Sequence, residues 1–505
     1  MKKTLLLASF STCLFVQAQV PQIQWTKALG GSASEYSEDI AQTPDGGFIA
    51  VGTTASNNQQ VTGNHGAEDV WVVKTDALGN IEWQKCYGGS SSEEGNAIRT
   101  TSDGGYIIAG AAASNNGDIS GGHGSNDFWV LKLTSTGVVS WQKCLGGTIF
   151  EWAEDIQQTA DGGYIIAGST QSTTGDVSGN HGGEDAWVVK LDASGNLQWQ
   201  RCLGGTGTDT ARSVTQTQDG GYILLGLTNS NNGDVTGNHG GNDFFVSKLS
   251  PTGTVEWTKA LGGTASDVGQ WIVQSPNGKY ICAGSTASNN GNVTGNHGGI
   301  DVWMVQLDAS GTVEWQKCFG GTGSDVARCV QSTVGTGYII AGDSSSSNND
   351  ATQNNGNTDF WVVSIDATGN IQWQKSLGGS SSDSGTSVRQ TADGGFIVTG
   401  STPSNDIDVV GNHGIYDFWL VKFAPEPLAV ASNHTTDFRL SPNPALDLIS
   451  FSETIENASI IDISGRVVGT ITNSDQLEIS GLKTGMYWIV GTISGRSIKQ
   501  KFVKK

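Results

Sequence analysis

The sequence predicts an all-β protein, a seven-bladed β-propeller followed by a small β-sandwich. The first observation is a strict repeat, in which one tryptophan recurs every 58 residues: Trp25, Trp83, Trp141, Trp199, Trp257, Trp315 and Trp373. The second is composition, because glycine is abundant (72), proline is scarce (9) and only 15% of residues are charged, as is typical of short strands joined by tight turns. The third is a change of pattern after residue 423, where the repeat ends.

Each repeat predicts four strands, named A to D in chain order. In the unit that contains Trp199, strand A is Ala153–Thr159 and leads to Asp-Gly-Gly, a strong hairpin signal. Strand B is the apolar run Tyr-Ile-Ile-Ala-Gly, and a polar loop separates it from strand C, Trp-Val-Val-Lys-Leu. Strand D carries the repeated tryptophan. Four strands cannot bury both faces alone, so the units must stack, and a period of 58 residues favours propeller blades.

The strand count predicts how the ring closes. There are seven D strands, and the first of them, Ile23–Leu29, precedes every A–B–C set. The last A–B–C set ends at Phe423 without a D strand. An open array would leave exposed strand edges at both ends. We therefore predict that Ile23–Leu29 becomes the outer strand of the last blade and latches the ring.

The turn before each repeated tryptophan carries a family resemblance. The pattern Asp-Ala-x-Gly-x-x-x-Trp, as in Asp192–Trp199 and Asp366–Trp373, resembles the tryptophan-docking motif of quinoprotein propellers and, more loosely, the Asp-box turn of sialidases. The resemblance implies that the Asp ties the C–D turn while the indole packs on the next blade. Residues 22 to 423 as a whole resemble the β-propeller repeats of bacterial surface proteins, which implies the fold and leaves the function open.

The two ends of the chain predict export. Residues 1–18 read as a signal peptide, with Lys2 and Lys3, an apolar stretch and the small-residue cleavage site Val16-Gln17-Ala18. The propeller occupies residues 19–423, and residues 424–437 form a linker. Residues 438–505 predict a small immunoglobulin-like β-sandwich from short alternating strands with Gly/Asn turns.

The C-terminal segment carries a second resemblance. With Leu-Ser-Pro-Asn-Pro at 440–444 and Lys-Phe-Val-Lys-Lys at the end, it resembles the type A C-terminal sorting domain of the type IX secretion system of Bacteroidota. The resemblance implies Sec export, contact of residues 438–505 with the type IX machinery, and a secreted or cell-surface protein. The alternative is an accessory immunoglobulin-like binding module.

Charge and motifs exclude several function classes. The net charge of −21 and pI near 4.6 argue against nucleic-acid binding, which needs clustered basic residues. No segment after the signal region reaches the ~18–20 continuous apolar residues of a membrane helix. The sequence lacks a nucleophile elbow, an HExxH motif and a Walker loop, so we expect a non-catalytic protein that requires no cofactor.

Several polar residues recur in every blade, and recurrence favours a scaffold role over a metal- or substrate-binding crown. One acid precedes strand A: Glu35, Glu93, Glu151, Asp209, Asp267, Asp325 and Asp383. Another precedes strand C: Asp69, Asp127, Asp185, Asp243, Asp301, Asp359 and Asp417. In the B–C loop, Asp176, Asn180 and Asp185 supply oxygen donors that could hold calcium, although the spacing is not that of an EF-hand. A histidine occupies this loop in six blades and is expected to fix the loop.

The cysteines are expected to be free, buried thiols. A disulfide between Cys282 and Cys329 is the alternative that the sequence leaves open.

Broken symmetry supplies the candidate ligand site. Trp152, Trp271 and Trp488 fall outside the repeated tryptophan positions, and Phe150 and Trp152 lie together in one D–A loop. Two aromatic residues on a polar loop predict a sugar-stacking or protein-contact patch, or else a cover for a neighbouring loop. The sequence thus predicts a secreted or cell-surface scaffold for binding or adhesion to a glycan or protein. The alternatives are a polysaccharide hydrolase or lyase that uses carboxylates of the same face, and a structural subunit of a surface assembly.

Overall fold

The computed structural model describes residues 19–334, 337–426, 438–462, 466–493 and 496–505. The predicted signal peptide and most of the predicted linker lie outside the described residues. Contacts divide the chain into two units, Met1–Pro427 and Leu428–Lys505. Throughout the described ranges the regular secondary structure is β-strand.

The first unit consists of seven four-stranded antiparallel sheets, as the repeat predicts. The latch strand β1 is Ile23–Leu29. Blades 1 to 6 follow in chain order: β2–β5 are Glu35–Gln42, Phe48–Thr54, Asp69–Thr75 and Ile81–Tyr87; β6–β9 are Glu93–Thr100, Tyr106–Ala112, Asp127–Leu133 and Val139–Leu145; β10–β13 are Glu151–Gln158, Tyr164–Thr170, Asp185–Leu191 and Leu197–Leu203; β14–β17 are Asp209–Gln216, Tyr222–Thr228, Asp243–Leu249 and Val255–Leu261; β18–β21 are Asp267–Gln274, Tyr280–Thr286, Asp301–Leu307 and Val313–Phe319; β22–β25 are Asp325–Ser332, Tyr338–Ser344, Asp359–Ile365 and Ile371–Leu377.

Blade 7 confirms the predicted closure. Its strands A to C are β26–β28, which are Ser384–Gln390, Phe396–Thr402 and Asp417–Phe423. The sheet order is β1-β28-β27-β26, so the strand at the start of the propeller is the outer strand of its last blade. The pairing is antiparallel, with Thr26 opposite Val421 and Leu29 opposite Phe418.

The core lies between the blades. Strands B and C are buried along their whole length in every blade, whereas the first residues of strand D are exposed or half-buried. Val51 and Val72 of blade 1 pack in one cluster with Ile108 and Leu131 of blade 2. Each blade therefore buries its faces against its neighbours, which is why a single repeat cannot fold alone.

The repeated tryptophans join adjacent blades as the docking resemblance implies. The ring of Trp25, in the outer strand of blade 7, lies 5.8 Å from that of Phe48 in blade 1, and its Nε1 donates a hydrogen bond to the Ala77 carbonyl at 3.2 Å. In the same C–D turn, Asp76 Oδ1 accepts hydrogen bonds from the backbone of Leu78 and Asn80 at 2.9 and 2.8 Å. The aspartate holds the turn on which the indole docks.

Strand A begins two residues earlier than the sequence suggests. In blade 3 it is Glu151–Gln158, so the acid thought to precede the strand is its first residue in blades 1 to 6. The reason is a bridge between blades, in which the Glu151 N–H donates to the Asn126 carbonyl at 2.9 Å. Every A strand also contains a β-bulge, which lies between its third and fifth residues in blades 1 to 6, as at Ser37 and Asp39, and between Gly385 and Ser387 in blade 7. The bulge re-aims the side chains that follow it.

The second unit is a small sheet structure with its own core. Its strands β29–β33 are Leu440–Ser441, Leu448–Asp462, Val467–Glu478, Gly485–Ile493 and Arg496–Lys504. Ile449, Ile455, Ile489 and Phe502 are fully or almost fully buried in its centre. Among the described residues of either unit, no helix has the length and apolar character to cross a membrane.

Candidate binding site on the propeller axis

The acids at the start of strand A are scaffold residues. Glu35 is fully buried, its Oε2 accepts the Gly31 N–H at 2.7 Å, and its Oε1 accepts the Thr54 hydroxyl at 2.8 Å. In all seven blades the corresponding carboxylate accepts the N–H of the second glycine of the preceding Gly-Gly pair, at 2.7 or 2.8 Å. These carboxylates hold the D–A loop against strand B, and they line neither of the two cavities described below.

The acids at the start of strand C fix the B–C loop. Asp69 is fully buried, and its Oδ2 accepts the His65 N–H at 3.0 Å and lies 2.7 Å from His65 Nδ1. Burial raises the pKa of Asp69, against the lowering effect of His65. In blade 6, where Asn355 replaces the histidine, burial raises the pKa of Asp359 to about 6. The predicted loop-fixing role of the histidines matches these contacts.

The calcium candidates are engaged by the loop itself. Asp176 Oδ2 accepts the Gly146 N–H at 3.2 Å, and Asp185 Oδ2 accepts the His181 N–H at 3.0 Å. Asn180 Oδ1 accepts the Gly182 N–H at 2.8 Å. Within the ranges that the structure describes, no group of three or more His, Cys, Asp or Glu side chains is arranged as a metal-ligand set. Calcium binding at Asp176, Asn180 and Asp185 stays a prediction.

The cysteines of the described residues are buried and free, including Cys282 and Cys329. The disulfide left open in the sequence is therefore not formed. Burial raises the pKa of Cys86 to about 12, and it has the same effect on Cys144, Cys202 and Cys318. These thiols are small core residues.

Phe150 and Trp152 line a cavity of about 480 Å³ between blades 3 and 4, beside the D–A loops. Phe150 is 46% exposed, Trp152 is half-buried, and the cavity wall continues with Glu154, Arg212 and other side chains of blades 3 and 4. The volume is within the ~300–1,000 Å³ of small-ligand pockets. The role of Phe150 and Trp152 as ligand contacts stays a prediction, but the structure brings both into one concave surface.

The strand A positions that include Trp152 and Glu154 differ from blade to blade. They are the second and fourth residues of strand A in blades 1 to 6 and the equivalent Ser384 and Thr386 in blade 7, and they are half-buried or exposed in every blade. From blade 1 to blade 7 the second position is Tyr36, Glu94, Trp152, Thr210, Val268, Val326 and Ser384. The fourth position is Glu38, Asn96, Glu154, Arg212, Gln270, Arg328 and Thr386. Blades 1 to 3 thus carry the aromatic and acidic side chains, and we call Tyr36, Glu38, Glu94, Trp152 and Glu154 the acidic arc.

The three carboxylates of the acidic arc have no hydrogen-bond or ion-pair partner among the described residues. Burial raises the pKa of Glu38 to about 7, with Glu154 and Glu94 adding to the rise and Arg328 opposing it. Burial also raises the pKa of Glu94 to about 7, and that of Glu154 is raised in the same way. Titratable groups perturbed by burial within a cleft are typical of functional sites.

A set of paired side chains crosses the axis below the cavity, and we call Asp39, Arg99, Asp155, Trp271 and Arg389 the crossbar. Arg99 bonds both Asp39 and Asp155, the latter at 2.6 Å, and Arg389 Nη2 bonds Asp39 at 2.7 Å. The Trp271 ring, from blade 5, lies 5.5 Å and 5.1 Å from the guanidinium carbons of Arg99 and Arg389. These residues come from five blades, and Arg99, Asp155, Trp271 and Arg389 line a second cavity of about 390 Å³.

The sequence analysis found two of the residues around the cavity and missed the rest. It found Phe150 and Trp152 because an aromatic side chain stands out on a polar loop. It missed Glu38, Glu94 and Glu154 because charged residues in a strand of alternating pattern read as solvated. A signal was available, since the seven A strands placed in register differ at their second and fourth positions, whereas the first position is an acid in every blade.

Comparisons with known proteins identify the C-terminal unit. Residues 439–505 match the secretion system C-terminal sorting domain family. The regulatory protein FlaEY of Caulobacter vibrioides is 24% identical over 374 residues, which are 65% of this chain and 38% of that protein. The chain therefore spans less than two thirds of the length of this relative.

Solved structures similar to the chain include several propellers. An extracellular domain of B. thetaiotaomicron, described as part of a hybrid two-component system, has a TM-score of 0.43 at 11% identity and covers 96% of this chain and 60% of its own. The WD40 domain of Neurospora crassa Pan2 has a TM-score of 0.45 at 10% identity, covering 79% and 97%. A puromycin hydrolase has a TM-score of 0.43 at 11% identity, covering 94% and 62%. The propeller fold of this chain itself rests on its sheet order.

A sorting domain implies interaction with the secretion machinery, as its sequence predicts. The chain joins a seven-bladed β-propeller to a domain of the secretion system C-terminal sorting family, and it is a secreted, cell-surface protein.

Proposed function

We propose that this protein is a cell-surface or secreted binding module that holds its ligand in the axial cavity above the crossbar. The observation that carries the proposal is the convergence of Phe150, Trp152 and the unpartnered Glu154 on one concave surface. Aromatic faces supply contact area at low entropic cost, and a few polar groups fix orientation.

The contrast with the repeated acids supports a ligand-binding role. Glu35 and its six counterparts are satisfied by the fold and are needed in every blade. The carboxylates of the acidic arc have no partner in the described chain and occur in blades 1 to 3 alone. Burial of a carboxylate without a partner costs free energy, so its retention is better explained by a group that arrives from outside.

The proposal is tested by binding of the full chain to a glycan array and to a peptide array, with and without calcium. The double variant Phe150→Ala/Trp152→Ala is expected to weaken binding about ten-fold or more, as for the loss of aromatic contacts at the centre of an interface. The matched control is Val326→Ala, which truncates the same strand position as Trp152 on the opposite side of the ring. Equal binding by the wild type and the double variant would contradict the proposal.

A polysaccharide hydrolase is the second candidate, and one observation favours it. The pKa of Glu94 is raised to about 7 by burial, and a carboxyl group that is still protonated near neutral pH can act as a general acid. The test is release of reducing ends from a panel of polysaccharides by the wild type and by Glu94→Gln and Glu154→Gln. Activity in the wild type that is lost in either variant would replace binding by catalysis as the function of this cavity.

A further inference from the structure

We propose that the acidic arc receives a cationic side chain, the ammonium of a lysine or the guanidinium of an arginine, from an exposed segment of a partner protein. The inference rests on the proposed function, because Trp152 and Glu154 of the arc line the same cavity, and it adds the chemical class of the ligand.

The first argument is the composition of the arc. Its upper layer places Tyr36, Glu94 and Trp152 on three consecutive blades, and Tyr36 is 39% exposed. Its lower layer adds the carboxylates of Glu38 and Glu154. Aromatic faces and carboxylates both attract cations, and a partly desolvated cation beside an aromatic ring gains ~2 kcal/mol or more in measured systems. A neutral ligand would leave the three carboxylates without a counter-charge.

The second argument is that the fold does not supply the missing cation. Arg328 donates from Nε and Nη2 to Asp343, each at 3.1 Å, and Arg212 Nη1 donates to Gln270 at 2.9 Å. The guanidinium groups of Arg99 and Arg389 are held in the crossbar. Arg328 and Arg212 lower the pKa of Glu38 and Glu154 but form no ion pair with them, so the described residues compensate the arc carboxylates only in part, and an incoming cation removes the remaining cost.

The third argument favours a polypeptide as the source of the cation. A peptide presents backbone N–H and C=O groups beside its basic side chain, and the polar side chains of Gln171, Glu184 and Thr208 in the cavity wall can bond these groups. The net charge of −21 also draws a basic partner towards the surface over distance.

Titration gives the proposal a distinctive readout. The three arc carboxylates act on one another, and each also has other charged neighbours. These are Arg328 and Asp39 beside Glu38, and Glu68 beside Glu94. Beside Glu154 they are Arg212, Glu184 and Asp155. The pKa of Glu38 and that of Glu94 are each raised to about 7, so these groups are partly protonated at neutral pH. A cation binds the ionised form, so binding releases protons and tightens between pH 6 and pH 8.

The experiment is isothermal titration of the full chain with acetylated, amidated pentaarginine and pentalysine, in buffers of different ionisation enthalpy and at physiological salt. Pentaglutamine is the neutral control peptide, and spermine and a chitosan pentamer supply the same cationic chemistry from other sources. The variant Glu94→Gln/Glu154→Gln is expected to weaken peptide binding about ten-fold or more, since a tenfold change corresponds to loss of one strong contact. Proton release is expected with the wild type and is expected to fall in the variant.

The matched control variant is Glu82→Gln/Glu256→Gln, which removes two charges from the outer D strands. Blade 3 carries Gln198 at this position, and Gln198 still accepts a hydrogen bond from Lys190 at 3.1 Å, so the control keeps its fold. It is expected to change peptide affinity less than about two-fold, because exposed charges are screened at this salt.

Three results would overturn the inference: no binding of either basic peptide, equal loss of affinity in both double variants, or binding of spermine or chitosan without binding of peptide. If the wild type binds an array ligand that carries no cation, and the variant Phe150→Ala/Trp152→Ala loses this binding, the proposed function stands and this inference falls. Should the Glu94→Gln/Glu154→Gln variant not fold, absence of proton release by the wild type is sufficient to overturn it.

Discussion

Two glutamates three residues apart in one strand behave differently, and the contrast separates the scaffold of this protein from its site. Glu35 is fully buried and accepts hydrogen bonds from a backbone N–H and a threonine hydroxyl. Glu38 faces the axis without a partner, and burial raises its pKa to about 7. The first residue has a counterpart in every blade, and the second has one acidic counterpart at its position, Glu154. Glu35 therefore belongs to the scaffold, whereas Glu38 departs from the repeat and is a candidate ligand contact.

The largest expected effect comes from removing the scaffold acid. Glu35→Ala leaves the Gly31 N–H and the Thr54 hydroxyl without an acceptor in a buried site, which costs about 2–4 kcal/mol of unfolding free energy. Glu38→Ala removes a carboxylate that has no partner, so it is expected to be neutral or slightly stabilising. Chemical denaturation of the two variants side by side measures the difference. Similar losses in both would break the distinction between scaffold and site.

A smaller effect is expected from pH. The ordinary pKa of a glutamate is 4.5, and in the folded protein those of Glu38 and Glu94 are about 7, so the folded state binds more protons than the unfolded state between these values. Stability from these groups is present at low pH and is lost as pH rises towards and through 7, by about 1 kcal/mol in total after allowance for solvent screening. Unfolding midpoints of the wild type between pH 5 and pH 8 are expected to show this fall. The slope is expected to flatten in Glu38→Gln/Glu94→Gln, and an unchanged slope there would assign it to other groups.

The smallest expected effect concerns a buried hydrogen-bond donor of the scaffold that has no acceptor. Trp71 Nε1 donates to Gln84 Oε1 at 2.7 Å, but Trp419 Nε1 in blade 7 is buried without an acceptor in the described structure, since the latch strand has Thr26 at the glutamine position. Thr26→Gln is expected to raise the unfolding free energy by about 0.5–1.5 kcal/mol, the net value of one hydrogen bond. Thermal unfolding checks the gain, and binding in the axial cavity serves as the control that should not change.

The fold could be predicted from sequence because its signals repeat. Trp25 and its six counterparts set the period, and the unpaired D strand Ile23–Leu29 together with Phe423 gave the closure. The site could be predicted only at Phe150 and Trp152. Which face of strand A meets the axis depends on the bulge after Ser37, and no local motif marks that bulge.

The crossbar shows a second limit of sequence reasoning. Arg99 and Trp271 lie in blades 2 and 5 and meet only because the ring is closed and narrow. Trp271 stood out as a tryptophan outside the repeat, but its partners could not be named before the seven blades were placed around one axis. Long-range contacts of this kind follow from the assembled architecture and not from any segment.

The latch strand Ile23–Leu29 also determines when the propeller ring can close. Residues 23–29 leave the ribosome first, yet the strand that receives them, Asp417–Phe423, is made last among the propeller strands. Until both ends of the propeller are on the same side of the membrane, the outer edge of blade 7 has no partner and the ring stays open. The ring therefore closes only after Asp417–Phe423 has been made, so completion of the propeller follows synthesis of its last blade.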